Sequence, residues 1–539
     1  MLTLPPEIRD DLASPAFKDA ASCSKWLRQL QLTNLHQVHG VLRAQLDELN
    51  RFRLPGLERL QIMELLRETV SFVQADYGKK LIAKRLPLSE DELTIFVSIV
   101  NLWQEMINGY LRCLQAYMAG DNQLASSGAL LCQRSMTYSG LQILEHLRTG
   151  YEFNSKLWKE LHALYSFSEE NNLHLIECKD ELHGSLAFTC QAAYIKTLLA
   201  CYAHPAELTR RQLQLLDNWL TKWSSSVTLS DQCNVHMGEA APLTVNLDGS
   251  QGLQSLNQTA RSSRVRYLSL MPISKLLRVS EILLQQGQSP SQLELGEGCN
   301  NTDCVELLKF LHQCWCEDRN DRQAERRKAL LQAQAGYGIE SIYAQISNKP
   351  FKRSNRKAGM DIVSRRQIET FGRVLPDTSR NSLAALGYVL ENWHVENFSI
   401  LGARLLREGT KGERLGLQQL VAVRPGNNVA FTLGKIKWSL VTRTGQLQVG
   451  IHYLPGVPQA IVINVKGINL SLSDRSFAAL LLPAVAEMKS PASLVIPRNL
   501  FLPERMVEIV LPDQSKTNAK MKLCVENGLD YERVSFSEE

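Results

Sequence analysis

Through the first 340 or so residues, apolar positions recur mainly every three or four residues, the period of a helix with one buried face. This spacing predicts helices over 24–32, 36–52, 56–73, 130–147, 157–167, 182–202 and 209–223. The clearest start is Ser89-Glu90-Asp91-Glu92, a capping box in which Ser89 and Glu92 each satisfy the other's free backbone N–H. Behind it Phe96, Ile99, Val100, Trp103, Met106, Ile107, Tyr110, Leu114 and Tyr117 form a wide apolar stripe, the mark of a core-facing surface. Successive helices joined by short Pro, Gly or Asn turns imply antiparallel pairs, stacked as a bundle or an irregular solenoid. Residues 157–167 look a little like the first helix of a tetratricopeptide repeat, but no fixed period persists.

The helical pattern fails over 227–264, where 242–249 reads as a strand and turn and 249–263 is polar and loop-like. Helix is predicted again over 272–286 and 302–334. The period then changes. Residues 386–395, 417–423, 429–441 and 446–454 are rich in β-branched and aromatic residues and read as strands of a small barrel beginning between positions 371 and 386. Further strand-like runs at 493–497, 506–511, 519–525 and 530–536 imply an additional small β unit, packed beside the barrel or paired with its edge. The expected plan is a multidomain α plus β chain: helical domain 1–226, second helical segment 227–340, basic linker 341–380, antiparallel β-barrel 381–475 and β extension 476–539.

At 539 residues, with 44% hydrophobic and 21% charged residues, the chain has an ordinary globular composition. The first ten residues have neither a basic nor an apolar signal region, and the most apolar run, 477–484, is too short to span a bilayer; a soluble cytoplasmic protein is expected. Twelve cysteines without a secretion signal are expected to be reduced. Cys299, Cys304, Cys314 and Cys316, with His312, could offer zinc ligands, but they lack C-x2-C knuckles, and the run 304–316 reads more readily as a helix with cysteines as small hydrophobes. No phosphate loop, Gly-x-Ser-x-Gly elbow or His-Glu-x-x-His motif occurs, so no enzyme and no bound cofactor is expected. A net charge of only +5 and the absence of an aromatic-interleaved basic patch argue against nucleic acid. Positive charge is nonetheless concentrated at 349–373, which holds Lys349, Lys352, Arg353, Arg356, Lys357, Arg365, Arg366 and Arg373 against Asp361 and Glu369. Such a run is a solvated linker or a phosphate-binding segment.

Inside the β region stands Asn397-Phe398-Ser399-Ile400-Leu401-Gly402, an Asp/Asn-x-Ser-x-x-Gly pattern. An amide, a hydroxyl and a glycine there offer hydrogen bonds and a close backbone approach. With the following Leu433-Gly434-Lys435-Ile436-Lys437-Trp438 and Val449-Gly450-Ile451-His452-Tyr453, this stretch resembles the PilZ domain, a bacterial receptor module for cyclic di-GMP. The resemblance implies that Asn397, Ser399 and Gly402 contact the ligand and that arginines upstream clamp its phosphates, a task suited to the planar guanidinium fork. The family's Arg-x-x-x-Arg pair is not reproduced: every basic pair at that spacing has a lysine, and Glu369 and Thr370 stand four residues after Arg365 and Arg366. Arg356, Arg365, Arg366 and Arg373 are the candidates. The function implied is a cyclic di-GMP receptor that relays the signal to a protein partner through its helices; the alternative is a non-enzymatic scaffold whose barrel binds no nucleotide.

Overall fold

The computed structural model describes the chain apart from residues 1, 7–11, 82–84, 184–185, 234–240, 318–326, 352–382, 384–385, 410, 427–429 and 466–475. It divides into two compact units, one of residues 1–84 and 88–320, the other of 85–87 and 321–539.

The first unit is built on helices α1 (Ala20–Gln29), α2 (Leu35–Arg51), α3 (Gly56–Gly78), α4 (Glu90–Met118), α5 (Gly128–Thr149), α6 (Lys156–Glu170), α7 (Cys190–Tyr202) and α8 (Arg210–Trp223). The α4 capping box forms as its residue types require: Glu92 N donates to Ser89 Oγ at 3.3 Å and Ser89 N to Glu92 Oε2 at 2.8 Å. Phe96, Ile99, Trp103, Met106, Ile107, Tyr110 and Leu114 of the predicted stripe are buried. They pack α4 against α2, α3 and α5, which makes this region a bundle. The predicted helix over 182–202 is shorter than expected, since Leu186–Phe188 is a strand paired with Cys178–Asp180 and Thr189 caps α7. Leu243–Asn246 joins Leu229–Ser230, Gln254–Ser255 and Val265–Leu268 in a four-stranded sheet. Helices α9 (Met271–Gln285) and α10 (Asn301–Cys316) close the unit.

Two closed six-stranded antiparallel barrels make up most of the second unit. The strands of the first are β1 (Arg327–Tyr337), β2 (Glu391–Ser399), β3 (Gly402–Arg407), β4 (Leu420–Pro425), β5 (Thr432–Val441) and β6 (Leu447–Tyr453), in the order β3-β6-β5-β4-β1-β2. The second holds β7 (Gln459–Val465), β8 (Ser476–Leu482), β9 (Ser493–Pro497), β10 (Met506–Val510), β11 (Lys516–Asn527) and β12 (Tyr531–Glu538), in the order β7-β8-β9-β12-β11-β10. Between β1 and β2 in sequence, helix α11 (Ile339–Ser347) lies against both barrels. Ile339 and Ile342 share one apolar core with Leu420, Phe431 and Leu433 of the first barrel and Leu480, Val495 and Tyr531 of the second.

Three expectations need correction. Residues 327–334 are strand, not the end of a helix: the Ala and Gln of this run favour helix locally, but pairing with β2 on one side and β4 on the other fixes it as β1, with Ala333 and Ala335 turned inward. The barrel therefore begins at Arg327, well before positions 371–386. The basic segment consequently joins α11 to β2 within the second unit, and does not connect the helical region to the barrel. Finally, the expected β extension is a full second barrel whose first strand starts at Gln459, inside the span assigned to the first.

Candidate functional site

The Asn-x-Ser-x-x-Gly pattern folds as the tight hairpin between β2 and β3, with Ser399 paired to Gly402 across Ile400 and Leu401. The Ser399 hydroxyl serves its own turn, accepting from Leu401 N at 3.3 Å and lying 3.4 Å from Gly402 O. Gly402 is not in the left-handed region; its value lies in close approach, because a Cβ there would stand 2.1 Å from the Ile451 carbonyl oxygen. Ile400 at the tip is 78% exposed.

Strand register shows what lies beside this hairpin. The pairing slips by one residue between Arg404 and Leu405, so that Asn397 pairs with Arg404 while Val395 pairs with Leu405. Val395, Leu405 and Val449 are buried in the barrel. Because paired residues share a face and neighbours alternate, the next row points outward: Lys328, Asn397, Arg404, Gly450 and Trp438, one from each of five adjacent strands. A second outward row holds Ser399, Gly402, His452 and Lys435.

This face brings an indole, cations and an amide together. The Trp438 indole lies flat over Gly450, where a Cβ would come within 1.9 Å of Trp438 Nε1. The Arg404 guanidinium is 5.7 Å from the Trp438 ring centroid, donates to Gln448 Oε1 at 2.6 Å, and has Nε 2.6 Å from Glu396 Oε2 without hydrogen-bond alignment. Asn397 Oδ1 is buried, with no hydrogen-bond partner among the described residues. Burial, then the charge of Lys435, pushes His452 below its ordinary value, so it is neutral near pH 7. Lys328 is exposed and Lys435 pairs with Glu526. A half-buried aromatic plane, two cations and a free amide oxygen can stack a base, meet an oxyanion and accept from a base edge.

Of the residues expected from sequence, Asn397, Ser399 and Gly402 come together on this hairpin, whereas Arg356, Arg365, Arg366 and Arg373 lie outside the described residues. Sequence reading missed Lys328, Arg404, Trp438 and Gly450. Their signal was present only as strand register: the bulges at Glu396 and Lys437 decide which residues share a face. Against the expectation of reduced cysteines, Cys299 and Cys304 are joined in a disulfide; Cys314 is buried on α10, as a small hydrophobe of a helix would be, and among the described residues no group of His, Cys, Asp and Glu is placed to hold a metal. Nor, among the described residues, is any helix long and apolar enough to cross a membrane.

Comparison with known proteins gives concordant results at both ends of the chain. Residues 21–232 match the family model described as "Cyclic-di-GMP receptor FimW, N-terminal domain", and residues 471–538 match the "FimW C-terminal beta-barrel domain". A curated relative, the cyclic-di-GMP receptor FimW of Pseudomonas aeruginosa strain PAO1, is 24% identical, with 91% of this chain and 86% of that protein covered. The C-terminal match falls on the second barrel, leaving the hairpin barrel between the two matched regions. In its helical region and in its last β-barrel, the chain is thus similar to the two domains of the FimW receptors.

Proposed function

We propose that this protein is a non-enzymatic cyclic di-GMP receptor that binds the nucleotide on the outer face of its first barrel and relays its level to a protein partner through the helical unit. The observation that carries the reading is the outward row Lys328–Asn397–Arg404–Gly450–Trp438 beside the Asn-x-Ser-x-x-Gly hairpin, in a relative of a cyclic-di-GMP receptor. A guanine stacks on Trp438 with Arg404 at its edge, its N–H groups meet Asn397 Oδ1, and the phosphates meet Lys328 and Arg404. Arg356, Arg365, Arg366 and Arg373 then close over the phosphates from the segment preceding β2.

The missing Arg-x-x-x-Arg pair favours a second reading, a scaffold whose barrel binds no nucleotide. Hydrogen exchange of the full chain with and without cyclic di-GMP distinguishes them. The receptor reading expects added protection over 391–407 and 432–453 and across 349–373. Protection unchanged at all three, with ligand in excess, leaves the scaffold.

A further inference from the structure

The helical unit contains a polar cavity of about 300 Å³ between α3, α4, α5 and α8, at the lower end of the size range of small-ligand sites. Its wall includes Arg67, Trp103, Glu145, Arg148, Arg210 and Asp217. Most of the charges are answered. Arg67 is held by Asp180 at 2.6 Å and Glu64 at 3.1 Å; Arg148 by Glu145 at 2.6 Å and Asp217 at 3.2 Å; Asp217 also pairs with Lys196 at 2.7 Å.

Arg210 is the exception. It stands in the first turn of α8, donates through Nη2 to the Gly78 carbonyl at 2.9 Å, and has no carboxylate in ion-pair range among the described residues. Burial pulls its guanidinium below the ordinary value, offset in part by the Glu145 carboxylate and reinforced by Arg148. Three N–H donors on this wall are buried without an acceptor among the described residues: Arg210 Nη1, Arg148 Nε and Trp103 Nε1. Trp103 is only 5% exposed. Against them stand two carboxylate oxygens without an aligned hydrogen bond among the described residues, Glu145 Oε2 and Asp217 Oδ1, the latter ion-paired with Lys196. Buried donors are normally satisfied, and three unsatisfied ones around one cavity beside an unpaired cation describe the outline of an absent oxyanion.

We infer that this cavity is a binding site for a small oxyanion, a phosphoryl or carboxylate group received by Arg210, Trp103 and Arg148, separate from the nucleotide face of the barrel. The neighbouring carboxylate Glu145 repels a fully ionised ligand unless the ligand brings it an O–H or N–H, so a singly protonated phosphate or a hydroxy acid fits better than a bare dianion.

The test is the thermal transition of the full chain in rising inorganic phosphate, and separately in lactate, each against sodium chloride of equal ionic strength. A saturable upward shift in phosphate alone identifies a phosphoryl site, and one in lactate alone a carboxylate site; either supports the proposal. Arg210→Gln is expected to weaken the effective anion at least tenfold, and Trp103→Phe severalfold, whereas Arg211→Gln, which removes the same charge from a neighbouring exposed position, leaves the response unchanged. A response no larger than that in chloride, as water filling alone would give, overturns the inference, and so does a shift retained in Arg210→Gln. Cyclic di-GMP titration should be unaffected by Arg210→Gln; loss of both responses overturns the assignment to a separate site.

Discussion

At Gly450 the sheet bears no side chain because the Trp438 indole lies where one would stand, and the residue-scale predictions follow from such contacts. Gly450→Ala forces the indole off the strand and should cost about 1–3 kcal/mol as overpacking does. Gly402→Ala meets backbone instead, so the β2–β3 hairpin itself must open; at least as large a loss is expected, read as a lowered calorimetric transition of the barrel unit. Binding substitutions separate from these. Arg404→Ala removes a charge-assisted contact and should weaken cyclic di-GMP by roughly tenfold or more, while Ser399→Ala, whose hydroxyl serves its own turn, should change affinity by less than about threefold. A Ser399 effect larger than the Arg404 effect would show that the ligand sits over the hairpin tip, not the sheet face. The motif was legible at this scale, but its partners were not: a residue pattern names Asn397 and Ser399, whereas Arg404 and Trp438 join them only through two bulges that shift the register by one.

Helices α3 and α5 are tied by a buried ionic network that has no counterpart in the hydrophobic pattern. Arg67 and Arg134 converge on Asp180 and Glu64, and Tyr110 donates to Glu64 at 2.6 Å. Burial raises the Glu64 carboxyl, but Arg134 and Arg67 outweigh it and hold it below its usual range. Asp180→Ala leaves Glu64 to answer two buried guanidiniums and should cost about 3–5 kcal/mol in the helical unit, measured by denaturant unfolding. In the same unit, His162 illustrates the pH dependence. Its Nε2 donates to the Gln251 carbonyl at 2.9 Å, so Nδ1 accepts from the Tyr194 hydroxyl at 2.6 Å and the ring is neutral; burial pushes it down to about 4. The native state thus binds fewer protons than the unfolded chain between about pH 6.5 and 4. Stability is full above the upper value and falls as pH drops toward the lower, by at most roughly 3 kcal/mol. His39 and His146 are also lowered by burial and act in the same direction. His162→Gln should flatten the loss between pH 6.5 and 4.5, and an unchanged slope would assign it to the other histidines. Element types here were readable because capping boxes and three-four spacing are local, as at Ser89; the failure at 327–337 came where a helix-prone Ala and Gln run is held as a strand by partners distant in sequence.

For the whole molecule, the sequence pattern conveyed a helical region followed by a β region, and missed that the β region is two closed barrels sharing a core around α11. Closure depends on which strands meet, and β1 is separated from its neighbour β2 by α11 and the basic segment. This topology changes the signalling expectation. The segment at 349–373 stands in sequence between α11 and β2, both of the barrel unit, so it is not the connection between the helical region and the barrel. Calorimetric titration of the full chain with cyclic di-GMP, alongside Trp438→Ala, tests the central claim most directly. The account predicts saturable binding by the native chain and an affinity lower by about five- to a hundredfold in the variant, the worth of one stacked base; no heat of binding at high micromolar ligand, or equal affinity in both proteins, would contradict it.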